Sequence, residues 1–202
     1  PLRPEVNWSE FTEFTATAIL RELCARYSTK DYGVVEADVE RHFFASLESA
    51  IASDPEECLP IHGAREIFAE VRAAGWTPAI ATGSWRRSAE LKLSTAGIST
   101  SGVPLVTSSE HERRVDIIRD AAQLACGGAE PEEVVYVGDG AWDVRASREL
   151  GIGFLGRAGP HRAQRLLDLG ATAVVPDFTD VKALIALLSE PRSLVPSAVS
   201  GG

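Results

Sequence analysis

The feature that most constrains the fold is an alternation of short apolar runs with amphipathic segments between residues 63 and 189. The clearest apolar run, at 134–139, has the β-branched and aromatic composition of a strand that is buried on both faces. Similar runs predict four further strands, at 77–83, 103–107, 153–156 and 172–176. The amphipathic segments predict helices at 63–74, 86–97, 114–126, 143–150, 160–169 and 179–189. This alternation predicts an α/β fold with a doubly wound parallel sheet of the Rossmann-like kind.

The residues before this alternation predict a small all-helical unit. Residues 8–27 predict one helix, with Asn7 or Ser9 as its N-cap, and residues 36–52 predict a second helix with an apolar stripe. Residues 1–60 carry 5 basic and 12 acidic side chains, whereas residues 61–202 carry 15 and 17, so the acidic charge is concentrated in the helical unit. We therefore expect a helical domain over 1–59, an α/β core over 60–190 and a flexible tail over 191–202.

Charge and cysteine usage exclude several classes of protein. A formal net charge of −9 lacks the basic footprint that nucleic-acid binding requires. Three widely spaced cysteines, Cys24, Cys58 and Cys126, without a C-x-x-C pair, are typical of reduced thiols in a cytoplasmic protein. No apolar run approaches the roughly 18–20 residues that span a bilayer, and no signal peptide is visible. We expect a cytoplasmic monomer or homodimer with no nucleic-acid or membrane partner.

The strand predicted at 77–83 ends in the sequence Ala-Thr-Gly-Ser, just before a predicted helix. Ligands bind at the carboxyl ends of strands in an open parallel sheet. Thr82 would place a hydroxyl there, and Gly83 and Ser84 would offer backbone N–H groups at a helix N-terminus, where anions bind. Taken alone, the segment is also compatible with a turn followed by an ordinary helix cap.

Two carboxylates follow the strand at 134–139. Asp139 and Asp143 flank a glycine turn in the sequence Gly-Asp-Gly-Ala-Trp-Asp. Carboxylate oxygens are hard ligands, and one or two of them with waters and a substrate phosphate are the usual ligands of Mg²⁺. The alternative is that Asp143 caps the next helix and that Asp139 lies in a turn.

Two arginines, Arg113 and Arg114, open the helix predicted at 114–126. A cation at a helix N-terminus opposes the helix dipole, so it is unfavourable there unless an anion compensates it. A phosphate or a carboxylate partner would supply that anion. The alternative is a solvated run of charges.

The order of these three segments resembles the haloacid dehalogenase-like hydrolase superfamily, over roughly residues 60–190. The resemblance implies that Thr82 hydrogen-bonds the substrate phosphoryl group, and that Asp139 and Asp143 hold Mg²⁺. The family commonly has lysine in its third motif. Arg114 falls on that position and Arg113 is the second choice, although a planar guanidinium is not equivalent to an ammonium. The helical unit corresponds to a cap of the first type.

The chain departs from this family at its first motif. The family has a D-x-D pair on its central strand, in which the first Asp is the nucleophile and the second is the general acid/base. The sequence contains no D-x-D, no strand is predicted before the helical unit, and there is no methionine. We therefore expect the nucleophile to lie outside these residues, on a strand upstream of Pro1, and this chain alone to be inactive.

The resemblance implies a magnesium-dependent phosphatase, similar to phosphoglycolate phosphatases, that forms an aspartyl-phosphate on a small phosphorylated molecule. A phosphatase is favoured over a dehalogenase because the paired carboxylates imply a metal. The alternatives are a non-catalytic binding or regulatory relative, a phosphomutase, and a phosphonatase with Lys30 as its imine-forming lysine.

Two further groups of residues are candidates for substrate contacts. Four residues in or next to the predicted loop 28–35 could contact a leaving group. They are Tyr27, Lys30, Asp31 and Tyr32. Trp85 and Trp142 adjoin the phosphate-side loops and either pack the core or line the site.

Overall fold

The computed structural model describes residue 7, residues 11–28 and residues 30–190. Its helices are α1 (Ala16–Tyr27), α2 (Tyr32–Ser53), α3 (Ile67–Ala73), α4 (Arg86–Thr95), α5 (Arg114–Ala125), α6 (Ala141–Leu150), α7 (Pro160–Asp168) and α8 (Val181–Leu188). Its strands are β1 (Ile80–Ala81), β2 (Leu105–Val106), β3 (Val135–Gly138), β4 (Gly153–Arg157) and β5 (Ala173–Val175). A short 3₁₀ helix, Pro55–Cys58, follows α2.

The strands are parallel, and the predicted Rossmann-like α/β fold is confirmed. Within the described residues they form two hydrogen-bonded sheets rather than one, with β1 paired to β2 and with β4 between β3 and β5. Residues 80 and 81 pair with 105 and 106, and residues 135–138 pair with 153–156. Most of the strands are shorter than predicted, because only the middle residues of these predicted strands pair with a neighbouring strand.

An apolar cavity of about 650 Å³ separates the two sheets. Its walls include residues 79–81 of one sheet and residues 135–137 of the other. The Tyr136 hydroxyl crosses this space and donates a 3.3 Å hydrogen bond to the Ala81 carbonyl oxygen. β3 is therefore only half-buried, and the prediction that it is buried on both faces is wrong. The most buried strand is β4, because β3 and β5 cover both of its edges.

The core of the α/β part lies on both faces of β4. On one face, α3 and α8 pack against the fully buried Leu155, through Ile67, Val71, Leu184 and Leu188. On the other face, Phe154 packs with Val144 of α6 and Leu166 of α7. No helix within residues 11–28 and 30–190 is both long and apolar enough to cross a membrane.

The first helix of the helical unit begins at a different residue from the one predicted. α1 begins at Ala16 and not near residue 8, because the Thr15 hydroxyl accepts the Ala18 N–H at 3.2 Å and so forms the N-cap. Asn7 is not the cap of this helix, and the alternative cap, Ser9, lies outside the described residues. The expected flexible tail, 191–202, also lies outside them.

Side chains of α1 and of its N-cap residue form hydrogen bonds and an ion pair with the α/β core. The Thr15 hydroxyl donates to the Glu112 carbonyl oxygen at 2.6 Å, and the Thr17 hydroxyl donates to the Ser108 carbonyl oxygen at 2.7 Å. Arg21 adds an ion pair with the Glu112 carboxylate at 2.8 Å. These contacts hold the start of α1 beside the loop that follows β2.

The second helix of the unit, α2, provides a test of local stability. It begins four residues earlier than predicted because Asp31 is its N-cap, with Oδ1 accepting the Gly33 N–H at 3.0 Å and the Val34 N–H at 3.4 Å. We expect Asp31→Ala to lower the free energy of unfolding by about 1 kcal/mol. Asp31→Asn is the matched control, because asparagine caps a helix about as well as aspartate. Urea unfolding of both variants checks this, and equal losses would contradict the role of the cap.

Candidate active site

The carboxyl ends of the strands face a second cavity of about 530 Å³. Six residues singled out in the sequence line it together: Thr82, Gly83, Ser84, Arg114, Asp139 and Asp143. The first three follow β1 and the two aspartates follow β3, while Arg114 opens α5. The parallel strands thus bring residues from three distant segments of the chain to one edge.

The turn after β1 is held from two sides. The Ser84 N–H donates to the Thr82 hydroxyl oxygen at 3.2 Å, and the Ala16 N–H donates to the Gly83 carbonyl oxygen at 2.7 Å. Gly83 packs so closely that a Cβ there would lie 2.9 Å from the Phe14 carbonyl oxygen and would collide with the Arg114 guanidinium. Only glycine fits this position without a shift of its neighbours.

Arg114 is buried and has contacts on several sides. Its Nη1 lies 3.2 Å from Asp143 Oδ1 and donates to the Tyr136 hydroxyl at 3.4 Å. Its Nη2 donates to the Phe14 carbonyl oxygen at 2.7 Å. The guanidinium therefore links the chain segment before α1 to the loop after β3, and the carboxylate supplies the anion that a cation at a helix N-terminus needs.

Asp143 is buried in the first turn of α6. Its Oδ2 accepts the Asp139 N–H at 3.1 Å and the Gly140 N–H at 3.0 Å, so it caps this helix as well as pairing with Arg114. Burial raises the pKa of the Asp143 carboxyl, and the Arg114 guanidinium partly opposes that rise. Gly138 makes room for this carboxylate, because a Cβ at Gly138 would lie 2.7 Å from Oδ2.

Asp139 differs from Asp143 in its exposure. Its side chain is exposed at the carboxyl end of β3, on the wall of the cavity. Within the described residues no cluster of three or more metal-ligating side chains occurs. The donor set is an exposed carboxylate and a buried one whose Oδ1 accepts no hydrogen bond. This set fits Mg²⁺, since that ion takes one or two carboxylates and completes its shell with waters and substrate oxygens.

Arg113, the second arginine considered, does not line this cavity. Its guanidinium lies 2.6 Å from a Glu149 carboxylate oxygen and 3.7 Å from one of Glu13. About half of its side chain is exposed. The structure thus places Arg114 in the cavity and Arg113 on the surface beside it.

Several cavity residues were not singled out as site residues in the sequence. Phe14 stacks on Trp142 with ring centroids 4.7 Å apart. Residues 11–14 are not helical, although the sequence predicted a helix over 8–27. Tyr136 and Arg157 also line the cavity. The sequence does contain a signal for Arg157 as a site residue, because it is a charged residue at the end of an apolar run.

The two tryptophans both line the cavity, and Trp85 also packs the core. Trp85 is buried against Leu20 and Cys24, with the Phe43 ring edge-on to it at 5.7 Å. Trp142 lies over Gly140, where a side chain would collide with the indole. Packing the core and lining the site were considered as alternatives for these tryptophans, but one residue can do both.

The candidates at 27–32 lie elsewhere. None of Tyr27, Lys30, Asp31 and Tyr32 lines the cavity. Lys30 is exposed, and the Tyr32 hydroxyl donates to the Glu36 carboxylate at 2.8 Å. This placement gives no support to a phosphonatase that would use Lys30.

The Rossmann-like α/β core brings a turn with backbone N–H groups, a buried arginine and an exposed carboxylate together at its strand ends. A model of the haloacid dehalogenase-like hydrolases matches residues 3–151, and the chain belongs to this family. No curated protein matches the sequence significantly.

Two solved structures are similar to this one. A haloacid dehalogenase-like protein of unknown function from Agrobacterium tumefaciens strain C58 is 22% identical, with a TM-score of 0.52 over 85% of this chain and 84% of that one. A HAD family hydrolase from Deinococcus radiodurans R1, with bound phosphate and sodium, is 25% identical, with a TM-score of 0.55 over 93% of this chain and 85% of that one. These likenesses confirm the fold.

Proposed function

We propose that the protein is a magnesium-dependent phosphate-monoester hydrolase that acts on a small phosphorylated metabolite through an aspartyl-phosphate. The observation that carries this proposal is that one cavity holds the turn at Thr82, the Arg114 guanidinium and the exposed Asp139 carboxylate. A phosphate group needs N–H and cationic partners, and Mg²⁺ needs carboxylate partners. The bound phosphate of the Deinococcus radiodurans hydrolase supports the same chemistry.

The residues of the turn would hold the phosphoryl group. The Thr82 hydroxyl and the Gly83 N–H are donors for its oxygens, and the Ser84 N–H can join them by exchanging its bond to Thr82. Arg114 would balance the negative charge of the substrate, while its bonds to Phe14 and Asp143 keep the guanidinium in place. Such positioning by fixed donors is the main contribution of a protein to phosphoryl transfer.

Asp139 would be the direct ligand of Mg²⁺, and Asp143 would orient the loop that carries Asp139. This division follows from burial, because Asp143 already accepts two backbone N–H groups whereas Asp139 is exposed. When bound, the ion would neutralise charge that develops on the phosphoryl oxygens. We expect a small metabolite as substrate because the cavity holds only about 530 Å³.

The nucleophile in this proposal comes from outside the 202 residues, since the sequence has no D-x-D pair. The apolar cavity between β1 and β3 supports this part of the proposal. It is bounded by strands of both sheets, and the carboxyl ends of these strands carry the Thr82 turn and Asp139. A strand seated there would join the two sheets and would present its last residue to the phosphate site.

The test is hydrolysis of an aryl phosphate with and without Mg²⁺, using both the protein as cells produce it and the isolated 202-residue chain. We expect turnover by the cellular protein only, and at least a tenfold loss of its Mg²⁺-dependent rate in Asp139→Asn. Asp168→Asn, an exposed site on α7, is the control and should keep the rate. Absence of turnover by the cellular protein would overturn the proposal and favour a non-catalytic binding protein. Equal rates in both variants would overturn the role of Asp139 as the metal ligand.

A further inference from the structure

Of the two arginines that line the cavity in the described part of the chain, Arg157 is not used by the proposed chemistry. It is the last residue of β4, and it lines the same cavity as Arg114. Its Nε is buried and has no hydrogen-bond partner within the described residues. No carboxylate of those residues forms an ion pair with it, whereas Arg114 has Asp143.

The anionic side chain next to Arg157 in the β5–α8 connection already has partners. Oδ1 of Asp177 accepts the Thr179 N–H at 2.9 Å and the Thr179 hydroxyl at 2.6 Å. These bonds are the main reason that the pKa of Asp177 is lowered, and Arg157 contributes less. Asp177 is thus held in its own turn, and among residues 11–28 and 30–190 no carboxylate forms an ion pair with the Arg157 guanidinium.

The cavity that Arg157 lines has both apolar and polar walls. Ile61, Val137 and Phe178 line it, and so does the stacked pair of Phe14 and Trp142. Asp139 follows the strand next to the one that ends in Arg157, and its carboxylate is taken to be occupied by the metal ion. A half-buried guanidinium in such a cavity gives an entering anion more than it would gain in water. Guanidinium matches a planar carboxylate with two parallel hydrogen bonds.

We propose that Arg157 is a specificity-determining residue that binds a carboxylate of the substrate, distinct from the phosphate that is hydrolysed. This inference rests on the proposed function, because it takes the Thr82 end of the cavity to hold the phosphate. The substrate class is then a small phosphorylated acid rather than a neutral phosphorylated polyol.

A matched pair of ligands tests the inference. 3-Phosphoglycerate and glycerol 3-phosphate have the same carbon number, and only the first carries a carboxylate. Steady-state hydrolysis by the cellular protein with Mg²⁺ should show a KM that is lower by about tenfold or more for 3-phosphoglycerate, the usual range for a hydrogen bond to a charged group. The ratio of the two KM values should fall to about one in Arg157→Gln and should be partly restored in Arg157→Lys.

Two controls separate this inference from the proposed function. Arg162→Gln, on the exposed side of α7, should keep the wild-type ratio. Asp139→Asn should lower kcat/KM for both ligands by the same factor, which reports on the phosphate and metal end alone. A ratio that stays at the wild-type value in Arg157→Gln overturns the role of Arg157 even if both ligands are hydrolysed. If the wild type hydrolyses neither ligand, this inference fails, and the aryl phosphate assay shows whether the proposed function fails with it.

Discussion

Replacing Arg114 with methionine is expected to lower the free energy of unfolding by about 3–5 kcal/mol at pH 7. The substitution keeps most of the side-chain volume but leaves the Asp143 carboxylate buried without its cation. It also removes the donors to the Phe14 carbonyl oxygen and the Tyr136 hydroxyl. Arg114 and Asp143 have side-chain exposures of only 10% and 4%, so water cannot replace these contacts.

The loss of unfolding free energy in Arg114→Met should depend on pH. The direction of this dependence identifies the unpaired Asp143 carboxylate as its cause. Burial already raises the pKa of Asp143, and removing Arg114 would raise it further. Below the unfolded pKa of about 3.9 the carboxyl is protonated in both states, so no buried charge destabilises the variant. As pH rises to the native pKa and beyond, the unfolded state loses its proton first and the variant loses stability. The difference from wild type should therefore be smaller near pH 4 than at pH 7.

Urea unfolding in EDTA at both pH values measures this difference. Arg119→Met is the matched control, because Arg119 lies on the same helix and pairs with Asp116 at 2.7 Å while half of its side chain is exposed. Exposed pairs contribute little, so the control should change stability by less than about 1 kcal/mol. The double variant Arg114→Met/Asp143→Leu should recover part of the loss. Equal losses for Arg114 and Arg119 would show that the buried pair is not important for folding.

The sequence was sufficient for the fold class because apolar runs and helical stripes are local patterns. The β-branched run at 134–139 predicted β3, and glycine at position 75 predicted the end of α3, where it has φ +91°. The site followed from one further rule, that ligands bind at the carboxyl ends of parallel strands. That rule predicted Thr82 and Asp139 at one edge of the sheet, and the resemblance to the family added Arg114.

What could not be predicted depends on contacts between distant residues. Phe14 falls within the helix predicted over 8–27, yet it lies before α1, where its ring stacks on Trp142 and its carbonyl oxygen accepts from Arg114. The half-burial of β3 depends on the space between the two sheets, which no local pattern records. Asp143 was considered as either a ligand or a cap, and the structure shows the capping bonds directly.

Replacing Gly83 with alanine is expected to weaken phosphate binding or turnover about a hundredfold, the scale of an ångström-sized displacement in an active site. The new methyl group would lie 2.9 Å from the Phe14 carbonyl oxygen and 3.2 Å from Thr15 Cα, and it would overlap the Arg114 guanidinium. The backbone there cannot retreat easily, since the Gly83 carbonyl oxygen accepts the Ala16 N–H at 2.7 Å. The turn must therefore shift away from the cavity position that its donors occupy now.

The same substitution should lower the free energy of unfolding by about 1–3 kcal/mol, as overpacking does. Gly159→Ala is the matched control, because Gly159 has φ −67° and a Cβ there would have no neighbour within 4 Å. That control should keep phosphate affinity and, because Gly159 is the N-cap of α7, lower stability by no more than about 1 kcal/mol. Calorimetric titration with inorganic phosphate and Mg²⁺ on both variants gives the comparison. If Gly83→Ala binds phosphate as tightly as Gly159→Ala, the turn after β1 is not the phosphate site, because its donors cannot stay in place once the methyl group displaces them.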